Sequence, residues 1–127
     1  MIEFSAINLP HVQAEIELLF QTYEQALMQN DLATLDHLFW HSPLTIRFGV
    51  SETLYGIDAI RNFREVRSTD NIQRTLHNTT ITTFSEDLAI TTTEFFRPGQ
   101  PCGRQTQIWM RFADGWHIVS AHISYSA

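Results

Sequence analysis

The apolar side chains of this chain change period once, near residue 73, and that change limits the folds open to it more than any other feature. Before it they recur every three or four residues, as on helices; after it they alternate, as on strands. Residues 10–30 (PHVQAEIELLFQTYEQALMQN) place Val12, Ile16, Leu19, Phe20, Tyr23 and Leu27 on one helical stripe, with Asn8 or Pro10 marking the start. DLATLDHLFW is a shorter helix, with Asp31 as its N-cap and Leu32, Leu35 and Phe39 on one side. TIRFGV reads as a strand, SETLYG as a second short strand or turn, and GIDAIRNFREVRS as a third helix carrying Ile57, Ile60, Phe63 and Arg64. Asp58 lies in its first turn, where the helix dipole favours an acid.

Beyond the change, QRTLHNTTITTFS, LAITTTEFFRP, GRQTQIWMRF and WHIVSAHISYS read as four long strands. Their connectors SED, PGQPCG and ADG suit hairpins, and Asp114-Gly115 is a tight-turn signal. Three helices followed by an antiparallel meander make an α+β plan, and residues 1–127 fit a single domain large enough to bury its own core.

The chain contains no lysine; its eight basic residues are all arginine. Every arginine follows residue 46, whereas the first 46 residues carry six acids, and the net charge is −6. An acidic balance without a clustered basic face argues against nucleic acid and anionic membranes as partners. No apolar run is long enough for a membrane helix, and MIEFSAINLP has neither the basic start nor the unbroken apolar stretch of a signal peptide, so the expected location is cytoplasmic. The lone Cys102, in the loop RPGQPCG, reads as an incidental thiol, and the six histidines show no metal-ligand spacing.

Four positions stand out chemically. Arg47 occupies the face of TIRFGV opposite Ile46 and Phe48; buried, it needs an internal acid such as Glu24 or Glu52, or an anionic ligand. Tyr23 shares the inward stripe of the long helix, so its hydroxyl needs a partner in the core or in a cavity. GRQTQIWMRF puts Gln105, Gln107 and Trp109 on one face, amides and a large ring that suit a small polar-ligand cavity or an exposed strand equally. In WHIVSAHISYS strict alternation groups Trp116, Ile118, Ser120, His122 and Ser124; His122 is either a satisfied core histidine or a general acid–base group. Neither face of that strand is polar enough to be fully wet, so one side takes the helices and the other a second copy, giving a homodimer through the outer sheet face.

YEQALMQNDLATLDHLFWHSPLTIRFGV, ETLYGIDAIRNFR, GRQTQIWMRF and GWHIVSAHIS, in this order and spacing, resemble the AtzH-like family, which includes oxalurate-catabolism proteins, over about Leu9 to Ser124. The resemblance implies an NTF2-like (cystatin-like, SnoaL-like) fold, with three N-terminal helices packed on a curved antiparallel sheet around a conical pocket. It implies a place in ureide or oxalurate breakdown, beside amidase-signature enzymes. The family's chemistry is a decarboxylating amidohydrolase step on a dicarboxylated urea, with a pocket Tyr and Arg as the key pair; by position these are Tyr23 and Arg47. Arg47 would anchor a carboxylate of a small anionic ureido acid, and Tyr23 would supply a proton, with no cofactor or metal needed. Trp40, Gln105, Gln107, Trp109, His122 and Ser124 would complete the substrate-binding wall, and Arg74 or Arg104 could hold a second carboxylate. The alternative is a non-catalytic binder or accessory protein for an amidase. A steroid-type isomerase fits less well, because the assigned pocket face supplies Gln, Ser and Arg rather than a carboxylate base.

Overall fold

The computed structural model describes residues 1–127. After a short 3-10 turn at Phe4–Ala6, helix α1 (Pro10–Gln29) starts with Pro at its first position, where a missing N–H costs nothing. It stops at Asn30, which adopts the left-handed conformation (φ 52°) and returns its N–H to Ala26 and Leu27. Asp31 caps α2 (Leu32–Leu38), accepting from the Thr34 N–H at 3.2 Å and from its hydroxyl at 2.6 Å. Strands β1 (Ile46–Phe48) and β2 (Thr53–Tyr55) precede α3 (Ile57–Val66), and β3 (Thr75–Phe84), β4 (Leu88–Phe96), β5 (Gly103–Phe112) and β6 (Gly115–Tyr125) follow.

The six strands form one sheet in the order β2-β1-β6-β5-β4-β3. The four long strands form the expected antiparallel meander, and the two-residue Ala113-Asp114 turn enters β6 at Gly115, whose φ of 120° favours glycine. The sheet is not purely antiparallel: β1 pairs in parallel with β6, Arg47 opposite Ala121, and α3 with the meander provides the long crossover this needs.

The helices cover one face of the sheet. Ala89, Thr91, Thr93 and Phe95 of β4 and Gln105, Gln107 and Trp109 of β5 point inward, against Ile16, Tyr23, Leu35, Phe39 and Ile60. A bulge in β6 corrects the alternation expected there: Ile108 pairs with Ser120 but Trp109 with Ile118, leaving Val119 as the extra residue. Trp116 and Ile118 therefore face inward together with Ala121 and Ile123, while Ser120, His122 and Ser124 turn outward. One inserted residue reverses the face of everything beyond it. The outer face mixes half-buried Ile46, Phe48, Ile90, Thr106 and Ile108 with exposed His122, whose ring meets Phe48 edge-on at 5.7 Å.

Candidate functional site: an arginine-lined cavity

A cavity of about 320 Å³ lies between the helices and the inner face of the sheet. Tyr23 and Leu27 reach it from α1, Arg47 from β1, Phe63 from α3, Gln105 from β5 and Ile123 from β6; Arg67, Arg74 and Arg97 enter from segments just outside the regular elements. Each is there for a local reason. The alternation of β1 turns Arg47 inward with Thr45, and the stripe of α1 carries Tyr23, only 2% exposed.

The arginines fall into two groups. Arg74 is fully engaged, donating from Nε and Nη2 to the two carboxylate oxygens of Glu24 at 2.9 and 2.6 Å, and from Nη2 to Gln105 Oε1 at 3.1 Å. Its guanidinium also lies 4.6 Å from the centre of the Phe95 ring. Arg47, Arg64 and Arg67 are not completed in this way. Arg47 donates from Nη1 to Glu52 at 3.0 Å and stacks on Phe63, but its buried Nε has no partner. Arg64 donates from Nη2 to the Tyr23 hydroxyl at 3.3 Å, leaving Nη1 unpartnered, and Arg67 leaves both Nε and Nη2 unpartnered.

These groups perturb one another. Burial pushes Arg67 down to about 10, helped by the charges of Arg64 and Arg47, and burial with the Arg64 charge also lowers Arg47. Burial by itself raises the Tyr23 phenol, yet Arg64, Arg47 and Arg74 overcome it and bring Tyr23 to about 8. Burial likewise raises Glu52, but the hydrogen bond from Arg47 holds it below its ordinary value. The result is a positively charged pocket, open to solvent at Ser51, Ser68 and Asn71, with free N–H donors at its buried end and a phenol that ionises unusually easily.

Of the residues singled out in the sequence, Tyr23, Arg47 and Gln105 come together on this cavity. Gln107 and Trp109 share its sheet face but lie deeper, in a chain in which Trp109 Nε1 donates to Thr91 Oγ1 at 3.2 Å and Thr91 Oγ1 to Gln107 Oε1 at 3.1 Å. The other expected wall residues lie elsewhere. The β6 bulge carries His122 and Ser124 to the opposite face of the sheet, and Trp40 stacks on Phe112 at 5.2 Å, beside the β5–β6 turn. Arg104 is on the outer face, donating to the Tyr125 carbonyl, and Arg74 is bound to Glu24, so neither is a spare carboxylate site. Two arginines not marked by the sequence matter here: Arg67 lines the cavity, and Arg64 stands behind it on the Tyr23 hydroxyl. The available signal was Arg64 continuing the apolar stripe of α3, a place where an arginine has to be buried. No group of three or more His, Cys, Asp or Glu side chains is placed to hold a metal ion, and no helix is long and apolar enough to cross a membrane.

Helices on a curved sheet enclosing a polar cavity define an NTF2-like α+β protein. Within that class, the AtzH-like family matches residues 5–127, and the chain belongs to it. It is similar to a solved protein of unknown function of the DUF3225 family from Pectobacterium atrosepticum, at 44% identity and a TM-score of 0.98 over 100% of both chains. A cystatin-like fold protein from Burkholderia xenovorans is 42% identical, with a TM-score of 0.93 over 100% of this chain and 98% of that one. An NTF2-like superfamily protein from Salmonella enterica is 25% identical, with a TM-score of 0.73 over 92% of each. No curated protein matches the chain.

Proposed function

We propose that the chain binds a small anionic ureido acid in the arginine-lined cavity and acts as a ligand-binding or accessory protein in ureide-type nitrogen catabolism. The observation that carries this is the set of buried, unpartnered guanidinium N–H groups on Arg47 and Arg67. Buried donors left unmade are costly, and a carboxylate accepting from two of them forms charge-assisted bonds that offset the cost. Arg47 and Arg67 hold the carboxylate in this scheme, and Gln105, whose Nε2 is also free, donates to the ureido carbonyl. The resemblance adds the setting, in which an amidase is the partner that receives or supplies the ligand. The half-apolar outer sheet face is the surface through which two copies pair.

Tyr23 favours a second reading, a decarboxylating amidohydrolase. A phenol brought to about 8 is still largely protonated at neutral pH yet releases its proton readily, as a general acid should. In this step Arg47 anchors the substrate and the N–C bond to an N-carboxylate breaks. Carbon dioxide leaves, the bonding pair stays on nitrogen, Tyr23 protonates that nitrogen, and water returns a proton to the phenolate.

One experiment separates the readings. Oxalurate and freshly generated dicarboxylated urea are titrated into the protein, with carbon dioxide release from the dicarboxylated urea followed alongside binding. Saturable binding without turnover, abolished by Arg47→Ala, supports the binder. Turnover lost in both Tyr23→Phe and Arg47→Ala supports the hydrolase, and absence of both binding and turnover removes both.

A further inference from the structure

A second cavity, of about 220 Å³, opens between α2 and α3. Its inner walls are apolar, built by Leu32, Leu35, Phe39, Ile57 and Ile60; Arg64 is among its lining residues, and Asp36, Arg61 and Glu65 stand at the rim. Arg64 is only 5% exposed and has one terminal nitrogen, Nη2, on the Tyr23 hydroxyl; the other, Nη1, is buried without a partner. The same guanidinium therefore joins this cavity to Tyr23 on the wall of the first.

We propose that the α2–α3 cavity is a separate binding site for a short-chain aliphatic monocarboxylate, its tail against Leu35, Ile57 and Ile60 and its carboxylate on Arg64. The chemistry follows from the walls. A charged group with several oxygens would be poorly served, because Arg64 is the only buried cation there: Arg61 is held by Asp36 at the rim, and the inner walls offer only apolar contact. A purely apolar ligand would leave Arg64 Nη1 unmade. The acids at the rim do not forbid an anion. Asp36 is matched by Arg61, through bonds of 2.8 and 3.2 Å, with His41 at 3.2 Å, and Glu65 is exposed to solvent. A volume of about 220 Å³ suits a short aliphatic chain with its head at the guanidinium.

The site is coupled to the first cavity through one side chain. A carboxylate on Arg64 neutralises the charge that contributes most to lowering the Tyr23 phenol, so occupancy of the α2–α3 cavity raises Tyr23 from about 8 toward its ordinary value.

Sodium valerate and pentanol are titrated into the full chain while the side-chain methyl resonances are followed. Valerate is expected to saturate with shifts at Leu35, Ile57 and Ile60, leaving Leu27 and Ile123 of the arginine-lined cavity unmoved, and pentanol to bind at least about tenfold more weakly. Ala33, exposed at the mouth of the cavity, can be changed to Trp without touching the core; Ala33→Trp should remove valerate binding and leave oxalurate binding as in the wild type. The part of the phenolate absorbance titration that disappears in Tyr23→Phe should move upward in pH when valerate is saturating. Shifts confined to Leu27 and Ile123, competition between valerate and oxalurate for one site, or equal affinity for valerate and pentanol would overturn the proposal. So would a Tyr23 titration unmoved by saturating valerate.

Discussion

Two walls of one cavity use arginine in opposite ways. On the wall made by α1 and β5, Arg74 meets Glu24 through both carboxylate oxygens, takes Gln105 as well, and lies over Phe95, so its buried donors are accounted for. On the wall made by β1 and the end of α3, Arg47 has one acid and Arg67 retains two buried nitrogens without partners, while Arg64 stands behind the wall on the Tyr23 hydroxyl. The same residue type is completed where the fold supplies partners for all its buried donors and left open where it does not. Burial alone does not distinguish the cases: the Arg74 and Arg47 side chains are 2% and 8% exposed.

The largest stability effect belongs on the completed wall. Arg74→Ala leaves the Glu24 carboxylate without its partner inside the protein, which should cost about 3–5 kcal/mol. Chemical denaturation would read this as a lower midpoint at unchanged slope. A loss below 1 kcal/mol would mean that Glu24 is solvated and that Arg74 is not the structural half of the comparison.

The open wall should reveal itself through pH. Tyr23 titrates at about 8 in the folded protein and near 10.0 when unfolded, so between these values the unfolded chain holds a proton the folded one has released. Stability from this group is absent below about pH 8, rises with pH through the window and is complete above about pH 10, amounting to about 2–3 kcal/mol. Tyr23→Phe should abolish that rise. The measurement belongs in a Cys102→Ser background, because burial and Glu94 raise the Cys102 thiol and its contribution falls as pH rises. It should be read over the lower part of the window, to about pH 9, because Arg67, at about 10, titrates above that. A flat profile in the Tyr23-containing protein would mean that the arginine charges do not reach the phenol.

Glu52 links the two kinds of wall, since it is the acid that half-completes Arg47. Glu52→Gln should cost about 1–3 kcal/mol in the free protein, by removing the anionic acceptor of a buried guanidinium. It should also tighten oxalurate binding, because the ligand no longer competes with Glu52 for Arg47. Weaker binding in this variant would place Glu52 among the ligand's own contacts.

Local pattern made much of this legible and long-range geometry hid the rest. The α1 stripe placed Tyr23 inward, the β1 alternation turned Arg47 toward the core, and the period change marked where helices give way to the meander, all from neighbours within a few residues. Parallel pairing of β1 with β6 joins residues some seventy positions apart and leaves no local signature. The extra Val119 does not interrupt the alternation of WHIVSAHISYS, because Ser120 and Ala121 are both small enough for either face; His122 and Ser124 were therefore assigned to the wrong one. Arg64 was readable as a buried arginine on α3, but its contact with Tyr23 spans 41 positions and could not be read from spacing.

Arg67 carries the smallest expected effect on stability and the sharpest test of the comparison. Arg67→Met keeps the aliphatic length that packs beside the cavity and removes a guanidinium with two buried nitrogens that nothing in the protein satisfies. The ligand-free protein should change by about 1 kcal/mol or less, and the sign should favour the variant, because a desolvated charge among like charges is removed. Oxalurate affinity should fall about tenfold or more, the weight of a charge-assisted hydrogen bond to a carboxylate. Thermal stabilisation by the ligand should then shrink in proportion to the weakened binding. Arg74→Ala is expected to show a large loss of fold stability, and Arg67→Met a loss confined to the ligand. If Arg67→Met instead unfolds the protein while leaving affinity intact, Arg67 belongs with Arg74, and the open wall narrows to Arg47.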